Sequence, residues 1–241
     1  MSESLSPVDR AKFAAARRAS ELVETGMRVG LGTGSTAAFL VRCLGDRVRD
    51  EGLNIQGVPT SGRTAQLARD VGIQVLTLED LPRLDLTIDG ADEFDRDLNL
   101  IKGGGGALLQ EKIVAMASDK MIVITDASKK VDALGAFALP VEVLKFGWQT
   151  SLALIKIRLE ALGLGGKEIS RRMSGQTPYV TDEGNYILDL HLGRIADAAQ
   201  LALWLNQIPG VVENGLFIDI CAQVIIGHGD GTTSQHGHPA T

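Results

Sequence analysis

The sequence predicts an α/β fold, a parallel-sheet domain with a smaller α+β domain inserted into it. Three observations point there. Short apolar, β-branched runs alternate with amphipathic helical stretches from residue 27 to about 125, the pattern of βαβ units whose sheet is covered on both faces. A glycine-rich turn joins the first strand-like run to the helix after it. From about residue 134 the texture changes to mixed helices and hairpin signals.

The elements follow in order. Ser6 before Pro7, with Asp9 in the first turn, starts a helix that Gly26 is placed to stop. Strand-like runs are expected at 27–31, 54–58, 74–78 and 84–88, with helices at 37–49 and 63–71 between them. A helix over about 107–118 leads into a buried strand at 121–125. Then come the apolar LPVEVL segment, a helix at 147–162, strand-like segments near 167–172, 179–181 and 186–190, and a helix at 195–208. The turn Asp182-Glu183-Gly184-Asn185 supports a hairpin. The last strand-like stretches, 211–212 and 216–226, are expected to return to the first sheet. The domains expected are therefore 1–133 with 211–228, an inserted 134–210, and a flexible tail at 229–241.

Net charge is −6, dispersed along the chain, which argues against a nucleic-acid partner. An anionic substrate then needs a local positive site. No apolar run approaches the ~20 residues of a membrane span, and the N-terminus has no signal-peptide core. Cys43 and Cys221 sit in apolar surroundings without metal-ligand spacing, so buried reduced thiols and a cytoplasmic location are expected.

Between the first strand and its helix runs Gly30-Leu31-Gly32-Thr33-Gly34-Ser35-Thr36. Glycines there let backbone approach a ligand, and N–H groups at the helix start face an anion, for which phosphate is the natural guest. Thr33, Ser35 and Thr36 add hydroxyls, which also suit helix capping. Gly32, Gly34 and Ala37 fit a permissive dinucleotide fingerprint, but the second strand ends in Gly57-Val58-Pro59-Thr60-Ser61 without the acidic ribose ligand. No GK[ST] triplet follows, so triphosphate-binding readings fall too.

The stretch from Asp85 to Ala115 is the densest in chemistry. Asp89 and Asp92 bracket Gly90-Ala91 at a strand's carboxyl end, where open α/β sheets collect ligands. Lys102 precedes four glycines, Gly103 to Gly106, and Glu111 follows in a helix whose Leu108, Leu109, Ile113 and Val114 are the expected inward face. On that spacing alone Glu111 reads as a solvated helix carboxylate. A calcium loop through Asp95, Asp97 and Asn99 lacks its turn glycine and closing glutamate. Divalent metal at Asp89 and Asp92 has no histidine nearby to support it, and no metal site is assigned.

Across nearly its whole length the sequence resembles the ribose-5-phosphate isomerase A family. The matching segments are GLGTGSTAAFL, VPTS, TIDGADE, IKGGGGALLQEKI, DASKKVDALG, LPVEV and IPGVVENGLF, in that order. The resemblance implies a Rossmann-like domain with a smaller ferredoxin-like lid, in dimers or tetramers, acting on a small sugar phosphate without cofactor. It places Thr33, Gly34, Ser35 and Thr36 in the substrate-binding loop, and lines the sugar with Asp89, Gly90, Ala91, Asp92, Lys102, Gly103, Gly104 and Gly105. It sets Lys129, and Lys12 of the first helix, near the phosphate, and Glu111 at the general-base position, with Asp89 and Lys102 assisting. The segment 93–99 departs mildly from the family's pattern.

The implied reaction interconverts ribose 5-phosphate and ribulose 5-phosphate through an enediolate. Two other functions compete for the same residues. An acyl-CoA transferase uses a glutamate nucleophile near a glycine loop, but Lys102 with a phosphate loop suits a sugar better. A sugar-phosphate sensor would need a DNA-binding segment, and no basic helix-turn-helix precedes the first strand.

Overall fold

The computed structural model describes residues 5–237. It divides into two compact units, one of Met1–Ala91, Gln110–Lys130 and Asp219–Thr241, the other of Asp92–Leu109 and Val131–Ile218.

The first unit opens with α1 (Pro7–Ser20), β1 (Arg28–Leu31), α2 (Ser35–Glu51), β2 (Gln56–Pro59), α3 (Gly62–Asp70), β3 (Gln74–Val75) and β4 (Leu86–Asp89). In the second unit follow β5 (Glu93–Phe94) and β6 (Leu100–Ile101), after which α4 (Leu108–Met116) and β7 (Met121–Asp126) lead back into the first. The remainder of the second unit is β8 (Leu139–Val143), α5 (Trp148–Ala161), β9 (Ile169–Arg171), β10 (Met173–Ser174), β11 (Thr177–Pro178), β12 (Tyr186–Leu190), α6 (Ala198–Leu205), β13 (Val211–Asn214) and β14 (Leu216–Phe217). β15 (Cys221–Gly227) and β16 (Thr233–Gly237) complete the first unit.

The first unit holds a seven-stranded sheet in the order β16-β15-β7-β4-β1-β2-β3, parallel throughout except for β16. Strands β4 and β7 are buried almost end to end, as a sheet covered on both faces requires. Leu31, Ile88, Ile122 and Ile124 from the strands pack with Leu40, Val41 and Leu44 of α2 and Ala15, Ala16 and Ala19 of α1. β1, β2 and β3 extend the sheet in one direction, β4, β7 and β15 in the other. The topological switch point therefore lies between β1 and β4, and ligand crevices form beyond the carboxyl ends of such strands. At the opposite end of the same two strands, Arg28 and Asp85 pair side chain to side chain, and that guanidinium holds the Asp85 carboxyl below its usual range.

The first helix begins as expected, with the Ser6 hydroxyl accepting from Asp9 N–H at 3.1 Å. It stops at Ser20 rather than near Gly26. The Ser20 hydroxyl turns back to donate to Arg17 C=O, and Arg47 of α2 takes up the carbonyls of Ser20 and Val23. Gly26, at φ +93°, instead shapes the turn into β1.

In the second unit, β13-β8-β12-β9 form an antiparallel sheet. Leu139, Val141, Val143, Leu188 and Leu190 of that sheet pack with Ile155 and Leu159 of α5 and Leu201 and Leu205 of α6. β14-β6-β5 form a second small sheet, and β10 pairs with β11. The turn over 182–185 forms, closed by Gly184 N–H on Thr181 C=O at 2.9 Å with Gly184 at φ +83°, but it joins no hairpin: residues 179–181 are not a strand, and β12 pairs with β8 and β9 instead. Glu142 of β8, fully buried, accepts from Thr181 Oγ1 at 2.8 Å and Asn185 Nδ2 at 2.9 Å. Burial nevertheless pushes its carboxyl above the usual range.

The chain's end differs from expectation. Of the segments expected to return to the first sheet, Val211–Asn214 pairs with β8 and Leu216–Phe217 with β6, and only Cys221–Gly227 lies alongside β7. Residues 92–109 also cluster with the second unit, because β5 and β6 pair with each other and with β14. Within the expected flexible tail, Thr233–Gly237 forms β16, hydrogen-bonded along β15 from Gln223 to Gly227. Residues 238–241 lie outside those described.

Candidate active site

Asp89 ends β4 at the switch point, with 0% of its surface exposed. Its Oδ1 accepts from the backbone N–H groups of Thr33 at 3.0 Å and Gly90 at 2.7 Å. The carboxylate lies so close over the β1 loop that a Cβ on Gly32 would sit 2.1 Å from Oδ1 and 2.6 Å from the Asp89 Cα. Glycine is required at position 32 by this approach, a role sequence spacing does not reveal.

The loop's hydroxyls separate by function. Thr33 Oγ1 lies 2.8 Å from both Thr60 Oγ1 and Ser61 Oγ and 3.3 Å from Thr64 Oγ1, in a buried cluster. Thr64 Oγ1 also donates to Gly32 C=O at 3.0 Å, and Ser61 caps α3 through Thr64 N–H. The Thr33 side chain thus anchors the loop to α3, while its backbone N–H is taken by Asp89, so this residue fixes the loop from both sides. Thr60 and Ser61 were carried in the VPTS segment, whose sequence assigned them no role.

Gly34 is the N-cap of α2, at φ +113° and ψ 179°, a conformation nearly confined to glycine. It brings no capping side chain, so the first-turn N–H groups of α2 keep their positive end open toward an anion. Ser35 is exposed there, Thr36 is half-buried, and Lys12 of α1 donates from Nζ to Ser35 Oγ at 3.0 Å. A lysine distant in sequence is thereby brought to the loop. Lys129 closes the 3-10 turn Ala127–Lys129 after β7, also at the sheet's carboxyl edge, and is half-buried.

Glu111 lies in the first turn of α4 and is only 4% exposed. The expected inward face is corrected here: Ile113 is 48% exposed, whereas Glu111 shares the buried face with Leu108, Val114 and Ala115. Three- and four-residue spacings place those four on one side of a helix. A buried carboxylate at the positive end of a helix is unlike the solvated glutamate that spacing alone suggested.

In the second unit, Asp92 Oδ2 accepts from Gly104 N–H at 2.7 Å, which folds the glycine run back toward the start of β5. Lys102 is 2% exposed, its N–H on Gly215 C=O at 2.9 Å and its Nζ 5.5 Å from the Phe217 ring centre. Gly103 is buried, and Gly104 and Gly105 are exposed. Glu93, in the segment that departs from the family's pattern, accepts from Gly135 and Phe137 N–H groups and holds that loop.

The family model for ribose 5-phosphate isomerase A (phosphoriboisomerase A) matches residues 56–231. The chain belongs to the ribose 5-phosphate isomerase A family. It is 70% identical to the ribose-5-phosphate isomerase A of Ruegeria pomeroyi over 231 residues, covering 96% of this chain and 88% of that one. The ribose 5-phosphate isomerase of Plasmodium falciparum superposes with a TM-score of 0.91 at 34% identity, over 96% of this chain and 100% of that one. A D-ribose-5-phosphate isomerase solved with phospho-erythronic acid gives 0.88 at 36% identity, over 96% and 99%. The expected fold class and the expected enzyme class, a sugar-phosphate isomerase, are both borne out. Among the described residues no helix is long and apolar enough to cross a membrane.

Proposed function

We propose that this member of the ribose 5-phosphate isomerase A family interconverts ribose 5-phosphate and ribulose 5-phosphate through an enediolate, with Glu111 as the proton carrier. The burial of the Glu111 carboxylate at the start of α4 carries this reading, because a glutamate kept from water there costs stability unless the fold uses it. Its carboxylate takes the proton from C2, the C–H electron pair becomes the C1–C2 double bond, and the aldehyde oxygen gains the charge. A proton then passes from O2 to O1, and Glu111 returns its own to C1 as the C2 carbonyl forms.

Lys102 supplies positive charge to the enediolate, and Asp89 relays the proton between the oxygens. Asp92 with Gly90, Ala91 and the Gly103–Gly105 backbone holds the sugar hydroxyls. The Thr33–Thr36 loop, Lys129 and Lys12 hold the phosphate, whose binding energy fixes the reacting carbons in place. Every step moves a proton, so none consumes a redox cofactor. The neighbour solved with phospho-erythronic acid supports a phosphorylated acyclic sugar as the ligand class.

The buried thiols of Cys43 and Cys221, neither in a disulfide, fit a cytoplasmic location. Assembly into a dimer or tetramer belongs to the same proposal, supported by exposed apolar side chains such as Phe146, Ile157 and Leu203. The deciding experiment is Glu111→Gln, expected to lose on the order of 10² to 10⁴ in kcat with KM near that of the parent. Near-normal kcat in that variant sinks the assignment. Solvent deuterium is expected at C1 of the ketose.

A further inference from the structure

Four successive glycines are the most pliable backbone a chain can offer, and holding such a run in one shape costs more conformational entropy than any other sequence. Side chains of the second unit hold it. Arg172 follows β9, its N–H donating to Ile187 C=O at 2.9 Å. Its Nε donates to Asp189 Oδ2 at 2.9 Å and its Nη2 to Asp189 Oδ1, a bidentate pair in which each side chain is 15% exposed. The remaining nitrogen, Nη1, donates to Gly103 C=O at 2.7 Å and Gly104 C=O at 3.2 Å. Tyr179 adds a donor to the next carbonyl, that of Gly105, at 3.3 Å.

A trans peptide sends its C=O and its N–H in opposite directions. Drawing the Gly103 carbonyl to Arg172 therefore turns the Gly104 N–H the other way, where it donates to Asp92 Oδ2. The Gly103 carbonyl also accepts from Gly106 N–H at 2.9 Å, which closes the run into a turn, and the guanidinium fixes which way that turn and the Gly104 N–H bound to Asp92 face.

We propose that Arg172, braced by Asp189, is a positioning residue for the sugar: it fixes Gly103–Gly105 so that Asp92 and the loop backbone meet the substrate's hydroxyls in register. The proposal rests on the reading of Lys102–Gly105 as substrate-binding loop. A strap that merely joins β9 to β12 would need the Asp189 pair alone. The two further bonds to the glycine carbonyls are what such a strap leaves unexplained.

The test measures kcat, KM and thermal midpoint for ribose 5-phosphate turnover in the full chain, with Arg172→Ala and Arg172→Lys, and with added guanidinium. A loop displaced by about 1 Å is expected to lower kcat/KM of Arg172→Ala by about 10²-fold, with KM raised and kcat lowered together. Arg172→Lys recovers part of this, since one ammonium cannot hold a carboxylate in bidentate fashion and two carbonyls at once. Added guanidinium restores Arg172→Ala saturably and leaves Glu111→Gln unchanged. The proposal is overturned if Arg172→Ala stays within about 3-fold of the parent, if guanidinium restores nothing in folded protein, or, should the alanine variant fail to fold, if folded Arg172→Lys keeps parental kcat and KM. An unaltered protein without turnover is a different failure, that of the isomerase reading, and the proposal falls with it.

Discussion

Gly32→Ala tests the placement of Asp89 with the smallest change available, one methyl group. No positive φ is involved at this position, so alanine carries no backbone penalty and the whole effect is steric. The added Cβ would lie 2.1 Å from Asp89 Oδ1 and 2.3 Å from Cγ, about 1.3 Å inside the 3.4 Å at which ordinary contact begins. Rotating the carboxylate away does not relieve it, because the Asp89 Cα is itself only 2.6 Å distant. The β1 loop and the end of β4 must therefore part by about 1 Å, stretching the Thr33 N–H bond to Asp89. Overpacking of this kind costs about 1–3 kcal/mol in stability. A misplacement of about 1 Å at a reacting group costs about 10²-fold in rate, a loss that kcat/KM reads separately from the stability change. Steady-state conversion of ribose 5-phosphate gives kcat/KM, and thermal unfolding gives the stability. Gly62→Ala, where an added Cβ meets no atom within 4 Å, serves as the control. A folded Gly32→Ala within about 3-fold of parental kcat/KM refutes the account of Asp89 and its loop.

Lys12→Ala removes the ammonium that donates to Ser35; at about 1.5–3 kcal/mol for a charged hydrogen bond, KM for the sugar phosphate should rise at least about tenfold with kcat little changed, and competitive inhibition by inorganic phosphate should weaken in parallel. Burial, with Asp46 nearby, pushes the Cys43 thiol up to about 11, so its thiolate is scarce near neutral pH; alkylation of the native protein, followed by mass spectrometry, should leave Cys43 unmodified until the pH approaches that value or the chain unfolds. Glu142 has a carboxyl raised by burial. Its contribution to stability is full below the unfolded carboxylate range, where it is protonated in both states, and is lost as pH rises through the folded value. Glu142→Gln keeps the Thr181 and Asn185 bonds to Oε1 without the charge, so its thermal midpoint should exceed the parent's at about pH 8 and converge with it near about pH 4; parallel curves refute this.

The parallel strands inside the first unit's sheet were legible because each carries its own signal. A strand buried on both faces must be a short apolar run, and a helix covering it must be amphipathic, so 27–31, 84–88 and 121–125 announce themselves whatever lies next to them. Pairing partners carry no such local mark. Val211–Asn214 and Leu216–Phe217 look like the strand that follows them, yet register sends them to β8 and β6, and only Cys221–Gly227 to β7. Thr233–Gly237 reads as a tail for the opposite reason: as an edge strand of small polar residues it has no apolar period to display.

The site divides along the same line. Asp89 and the loop of Gly32 to Thr36 follow from a general rule, that ligands gather at the carboxyl ends of parallel strands, and the alternation of elements is enough to place those ends. Glu111 needs more. Its neighbours Ile113 and Val114 are both apolar, so hydrophobicity does not say which one faces inward; the structure buries Val114 and exposes Ile113, and that rotation carries Glu111 in with Leu108. Arg172 is further still from legibility, since its meaning lies in two carbonyl oxygens of glycines some seventy residues earlier, and carbonyls have no letter in a sequence. Residues that act through side chains aimed at a ligand leave a motif, whereas residues that act by holding backbone leave one only when the backbone itself, as in the run from Gly103 to Gly106, is written in glycine.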